Sequence, residues 1–269
     1  IPKSDLLAAT PTIDSRVRFT NGGRQATVAL DNTGLSTGQP MTFWQNGQGG
    51  AWIVRRAISG TLETGLSIGF KPNVNVLPHR PAINARRPGA PADLEVDVDR
   101  FTANLVRMNN SYWGVETVRP ALGTDSPNSM LRWFEVDATT GLKKQEGLIS
   151  NVNVDYHYGA VSVNGRGDVV IAFSGSGPGT NPSAYAVVGS TTNGVTTFGQ
   201  PVMTRAGAAS YYMPQQTSMG QTRNRWGDYS AAVNDPADPN IFWTFAEYAS
   251  GASSWGVQAT EVITHRADE

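Results

Sequence analysis

The sequence has no cysteine, only three histidines and only four lysines in 269 residues. The missing thiols exclude disulfides, thiolate metal sites and cysteine catalysis together, and they leave the compartment open. His79, His157 and His265 stand too far apart for a local metal-ligand spacing of the H-E-x-x-H type. Lysine occurs only at Lys3, Lys71, Lys143 and Lys144, so most of the positive charge is arginine, the better fork for carboxylate or sulfate groups. A formal net charge of -1 with 16% charged residues speaks against a general grip on nucleic acid or anionic membrane. No apolar run reaches about 18 residues, and the start is not cationic-then-apolar, so neither a membrane span nor a signal peptide is in view. The first residue, Ile1, leads us to expect a mature piece of an exported precursor.

Helical periodicity is equally scarce, with at best a short helical turn over Ser4 to Ala9. Strand signals fill the chain instead. Runs such as "QATVAL", "AWIVRRAI", "YWGVETV", "LRWFEV", "DVVIAF", "SAYAVV", "NIFWTF" and "WGVQATEVI" lie between Gly, Asn, Pro and Asp clusters. Asn-Gly pairs at Asn21, Asn46, Asn164 and Asn193 suit tight hairpins, since both residues tolerate positive φ. The chain is expected to be all-β.

It also repeats. "DYHYGAVSVNGRGDVVIAFSGS" (Asp155 to Ser176) has the layout of "RWGDYSAAVNDPADPNIFWTFAEY" (Arg225 to Tyr248), with Val163-Asn164 aligned on Val233-Asn234 and Phe173 on Phe245. Units at 10–70, 95–150, 151–205 and 210–265, with the Pro-rich stretch 71–94 as a connection passing over a face, give about four repeats of three or four strands. That is the arithmetic of propeller blades, in a whole propeller or a segment completed by further residues or a second chain.

The pattern "WGDYS…DP…FW…EY", with "YHYGAVSVNGRGDVVIAFSGSGPGTNPSAY" and "RPGAPADLEVDVDRFTANLVRMNNSYWGVETV…LRWFEVD" before it, resembles a group of exported bacterial β-propeller proteins with sialidase-like blades. The resemblance covers roughly Arg87 to Ile263 and implies the later part of a longer propeller. "STTNGVTTF" (Ser190 to Phe198) is similar to a worn Asp-box, with Thr192 where the acid belongs and Phe198 one place late. In that superfamily the box is structural.

If the units are blades, residues preceding each innermost strand gather at one mouth. The alignment places Tyr156 with Trp226, His157 with Gly227 and Tyr158 with Asp228, and sets Asp99, Arg100 and Asp155 beside Arg225 and Tyr229. Flat aromatics, acids and forked cations suit sugar binding, which makes Asp99, Arg100, Tyr158, Arg225, Trp226 and Tyr229 the candidate ligand-binding residues. Asp228, His157, Tyr156 and Glu247 are the candidate catalytic groups. Asp99, Asp228 and Glu247 supply carboxylates for glycoside hydrolysis, and His157 with a neighbouring tyrosine supplies the base and acid of a uronate lyase. The plainer roles are strand-start hydrogen bonding for Asp228, packing for Trp226, Trp243 and Phe245, a solvated strand end for Glu247 and a structural imidazole for His157. A sialidase needs three converging arginines, and only Arg100 and Arg225 are at hand. "GSGPGTN" (Gly175 to Asn181) lacks the helix and Lys of a phosphate loop, and "VDATTGL" and "NDPADPN" lack the ligand ladder of a Ca²⁺ loop, so no cofactor is expected. An exported module binding a glycan or protein is the leading expectation. A carbohydrate-active enzyme and a structural subunit are the alternatives.

Overall fold

The computed structural model describes residues 3–12, 28–29, 41–46, 50–61, 64–89, 93–96, 101–121 and 128–264. Apart from the four-residue helix α1 (Lys3–Leu6), its regular elements are strands in antiparallel sheets that follow one another in chain order. The first sheet is a meander of β1 (Val28–Ala29), β2 (Met41–Asn46), β3 (Trp52–Ser59) and β4 (Ser67–Asn75). In the second, β5 (His79–Pro81) and β6 (Val106–Met108) share one edge of β7 (Ser111–Pro120), followed by β8 (Met130–Asp137) and β9 (Lys143–Ile149). The third runs β10 (Asp155–Val163), β11 (Asp168–Gly177) and β12 (Thr180–Thr192), whose far edge is shared by β13 (Val195–Phe198) and β14 (Val202–Arg205). A small hairpin, β15 (Pro214–Gln216) and β16 (Thr222–Asn224), precedes the last sheet of β17 (Ala231–Asn234), β18 (Ile241–Gly251) and β19 (Ser254–Ile263). Asn193 and Gly194 both take positive φ in the β12–β13 turn, as a two-residue hairpin requires.

The sheets stack face to face. Trp44, Ile53 and Val74 of the first sheet pack with Tyr112, Phe134 and Val136 of the second. From the opposite face of the second, Trp113, Val115, Leu131 and Trp133 meet Val161, Val163, Ile171 and Phe173 of the third. Within each layer aromatics stack on their neighbours, Trp113 on Trp133 (6.2 Å) and Phe173 on Tyr185 (5.7 Å), and between the layers Trp133 meets Phe198 at 5.1 Å. Gly114 is obligatory here, because a Cβ would fall 2.3 Å from Cζ of Phe134. The other face of the third sheet carries small residues against the last sheet, where Ser162 donates to Asn234 Oδ1 (3.0 Å) and Ser174 to the Glu247 carbonyl (3.0 Å).

The segment 71–94 does more than connect. Its first five residues belong to β4, and His79–Pro81 pairs with β7. Beyond it, Arg86 is anchored on the fully buried Asp155, which accepts from the backbone N–H and Nε of Arg86 (both 2.8 Å) and from the Ser129 amide (3.0 Å). Three separate stretches therefore converge on one carboxylate. A second buried pair, Arg132 with Glu116, also holds the Leu77 carbonyl (2.9 Å) and His79 Nδ1 (2.9 Å).

The turns that open the third and last sheets differ by one residue from the sequence alignment. The Asn164 N–H bonds the Asp168 carbonyl, and its side-chain oxygen accepts from the amides of Arg166 and Asp168. In the last sheet it is Asp235 that bonds the Ile241 carbonyl and caps the turn through Ala237 and Asp238. Asn164 therefore corresponds to Asp235, not Asn234. A one-residue slip exchanges the two faces of a strand. Accordingly Phe173 is buried towards the second sheet, whereas Phe245 lies on the outer face of the last sheet with Val233, Val257, Ile263 and Trp255, which is 57% exposed.

Removing the shared acceptor tests this organisation. Asp155→Asn leaves Arg86 without its charge partner and is expected to lower stability by about 3 kcal/mol or more, read from the midpoint of urea unfolding. A loss below about 1 kcal/mol would show that the three stretches are held elsewhere.

Candidate functional site

The site is organised by an irregularity in β10. Its pairing with β11 shifts between His157 and Ala160, and Tyr158 within that bulge has a φ of +57°. A bulky residue in the left-handed region is strained by about 1–3 kcal/mol and persists only where its surroundings hold it. Here the Tyr158 N–H is held by Thr117 Oγ1 (3.0 Å), and Gly159 allows Val115 to approach, since a Cβ would lie 2.9 Å from Val115 Cγ2. The bulge aims the phenol across the stack, with its oxygen 3.5 Å from both Asp228 Oδ1 and the Glu95 carbonyl.

Asp228 is gripped by Arg225, whose Nη2 donates to both carboxylate oxygens at 3.0 and 3.1 Å. Arg225 is placed by a parallel bridge to Glu95, and the Glu95 carboxylate takes two guanidinium bonds from Arg223, which hold its pKa below the usual range. Glu247, on β18, lies against the turn that follows Trp226. A Cβ on Gly227 would fall 1.7 Å from Glu247 Oε2, so a larger residue there would displace the Glu247 carboxyl. Burial, reinforced by the nearby Asp228 charge, pushes the Glu247 carboxyl up to about 7, against the opposing hydrogen bond from the Gly227 backbone. Beneath this layer Tyr211 and Trp226 meet edge to face at 4.9 Å, in a small core with Tyr158, Leu94, Val96 and Ala249. Beside it a cleft of about 920 Å³ is lined by Asp93, Glu95, Arg223 and the β15–β16 turn.

The structure thus brings together Tyr158, Arg225, Asp228 and Glu247, and Tyr229, next in sequence to Asp228, is 62% exposed. It does not bring Tyr156, His157, Tyr158 or Trp226 to a surface, and the Tyr158 phenol meets Asp228 from within the core. Tyr156 is packed edge to face against Phe173 (4.8 Å) and Tyr185 (5.6 Å), and Trp226 is buried on Tyr211. His157 is wholly buried, donating Nδ1–H to the Asp155 carbonyl (3.2 Å), and burial lowers its pKa to about 4 despite the Asp155 carboxylate. A base without access to ligand cannot abstract a substrate proton, so the lyase role for His157 is set aside. Asp99, Arg100 and His265 lie outside the described residues. Glu95, Arg223, Tyr211 and Gly227 join the site without having been singled out, and only the acid run "DLEVDVD" and the Gly of "WGDY" signalled any of them. In the two acid-rich turns, Asp137 accepts from the amides of Thr139 and Thr140, and Asp235 from those of Ala237 and Asp238, so these carboxylates serve as turn caps.

Chemically the cluster offers an acid that retains its proton near neutrality, a carboxylate fixed by a guanidinium and a phenol between strands. Such a combination donates to and accepts from hydroxyl groups, and it can also deliver a proton.

The raised carboxyl makes a pH prediction. Between about pH 4.5 and 7 the folded chain keeps a proton on Glu247 that the unfolded chain has released, so this group's contribution to stability falls as pH rises through that window. His79 and His157, both lowered to about 4 chiefly by burial, act in the opposite sense and weaken the fold as pH falls from 6.5 towards 4. Glu247→Gln isolates the first effect: its melting temperature relative to wild type should climb with pH across the window and then level. A flat difference would place the Glu247 carboxyl in ordinary solvent. Compared with known proteins, the chain matches no family model, and no curated protein matches it.

Proposed function

We propose that the chain is a segment of an exported β-propeller, sialidase-like in its blades, that binds a glycan at the end of the stack bearing Tyr158 and Asp228. The succession of antiparallel sheets packed face to face in chain order supports the propeller reading. One observation carries the ligand class: the exposed Tyr229 ring stands in sequence beside the Arg225–Asp228 fork. Sugars offer C–H faces that stack on such rings and hydroxyl pairs that a carboxylate and guanidinium bond together. A second reading, a glycoside hydrolase, is favoured by Glu247, whose raised pKa suits a general acid next to the Asp228 carboxylate. The uncovered apolar face of the last sheet favours completion by a further sheet of the same kind.

Glycan-array screening followed by calorimetric titration tests the binding reading. Tyr229→Ala and Asp228→Asn should each weaken the best ligand about tenfold with little change in melting temperature. Release of reducing sugar by wild type, lost in Glu247→Gln, would replace it with the hydrolase reading. Absence of any glycan bound and of any product would end both. Native mass spectrometry addresses completion, since a particle heavier than 28.7 kDa with an identified companion is the outcome expected.

A further inference from the structure

At the opposite end of the stack, where the first and second sheets meet, lies a pocket of about 350 Å³. Its floor is Arg55, which is 7% exposed. The Arg55 guanidinium lies over the Trp44 ring at 5.4 Å and donates through Nε to the Pro72 carbonyl at 3.0 Å. Gly141 leaves room for it, because a Cβ there would fall 2.1 Å from Nη2. Lys71 and Arg107 also line the pocket, with Tyr112 and the hydroxyl-bearing turn after β8.

No acidic side chain among the described residues lines this space. The nearby Asp137 caps its own turn and accepts from Thr139 and Thr140. A guanidinium so deeply placed is normally neutralised by a carboxylate, because an unpaired buried charge is expensive. Desolvation does pull the Arg55 pKa down, opposed only by Tyr112. Its Nε is taken by the Pro72 carbonyl, and the side chain lines the pocket together with Lys71 and Arg107. Three cations facing one enclosed space without a carboxylate are what an anionic group would satisfy, and arginine's planar fork matches oxygen pairs on sulfur, phosphorus or carbon.

We infer that this pocket binds an oxyanion, the sulfate, phosphate or carboxylate group of a small ligand or an acidic sugar, with Arg55 as its fixed fork and Lys71 and Arg107 closing over it. The inference is independent of the glycan reading, since none of its residues belongs to the Tyr158–Asp228 cluster.

The experiment is calorimetric titration of the full chain at low ionic strength with inorganic sulfate, inorganic phosphate and glucuronate, with glucose as the uncharged control. At least one of the three anions should bind saturably with one site per chain, and glucose should not. Lys71→Ala and Arg107→Ala, at positions that do not carry the core, should each weaken that binding about tenfold, while Arg166→Ala, on a different turn, should not. Arg55→Met should abolish it, and the two rim variants decide the matter if Arg55→Met fails to fold. Preference for sulfate or phosphate would identify a tetrahedral oxyanion, and preference for glucuronate a uronate. The inference is overturned if none of the anions binds saturably, or if binding is unchanged in both rim variants.

Discussion

The contact on which the arrangement most depends is the buried Asp155 carboxylate and the N–H groups converging on it. Asp155 begins β10, Ser129 immediately precedes β8, and Arg86 ends a long excursion from the first sheet. A charge taken out of water is tolerable only when its oxygens are hydrogen-bonded, and the donors here, from Arg86 and Ser129, come from two stretches far apart in sequence. The second and third sheets are thereby fixed in height relative to one another. The Tyr156 amide adds a further bond to the Ser129 carbonyl at 3.0 Å, continuing the same seam.

From that seam the site follows in a few residues. With Asp155 pinned, the next three positions of β10 are set, and the bulge at Tyr158 and Gly159 turns one phenol, still buried, into the small core beside Trp226 and towards Asp228. The partner side is built differently, by a glycine so close to Glu247 that the carboxyl has a backbone amide for a neighbour and little water. Local strain on one sheet and close approach on the other together create a polar cluster over the apolar floor of Tyr211, Trp226 and Leu94.

The strand class was legible because short apolar runs and turn residues alternate along the chain. The register of the repeat was not, because different residues, Asn164 and Asp235, cap corresponding turns and the eye aligns Asn164 with Asn234. Site residues were read with mixed success for a related reason. Every position of β10 is buried, covered by sheets on both faces, so the strand has no polar alternation to say which side chain emerges. Tyr156, His157 and Tyr158 look alike in sequence, and only the bulge separates the last from the others. Glu95 was invisible as a partner of Arg223 and Arg225 because the contact spans well over a hundred residues.

The open outer face of the last sheet has a consequence for how stability is distributed. A stack of sheets has one junction fewer than it has sheets, so interior sheets are held on both sides and an outermost sheet on one. The third sheet, with Phe173 and Ile171 on one face and Ala172 and Ser174 on the other, is clamped twice. The last sheet exposes Trp255 and Val257, and on that side only its Glu247–Ala249 end is covered, by Gly227 and the Tyr211–Trp226 core. Opening of β17–β19 therefore breaks one full layer of contacts and one local patch, fewer than the third sheet would lose, so the edge of the stack opens more readily than the middle. The carboxyl of Glu247 belongs to that looser layer and Tyr158 to the tighter one, which makes the cluster they share sensitive to the breathing of a single sheet.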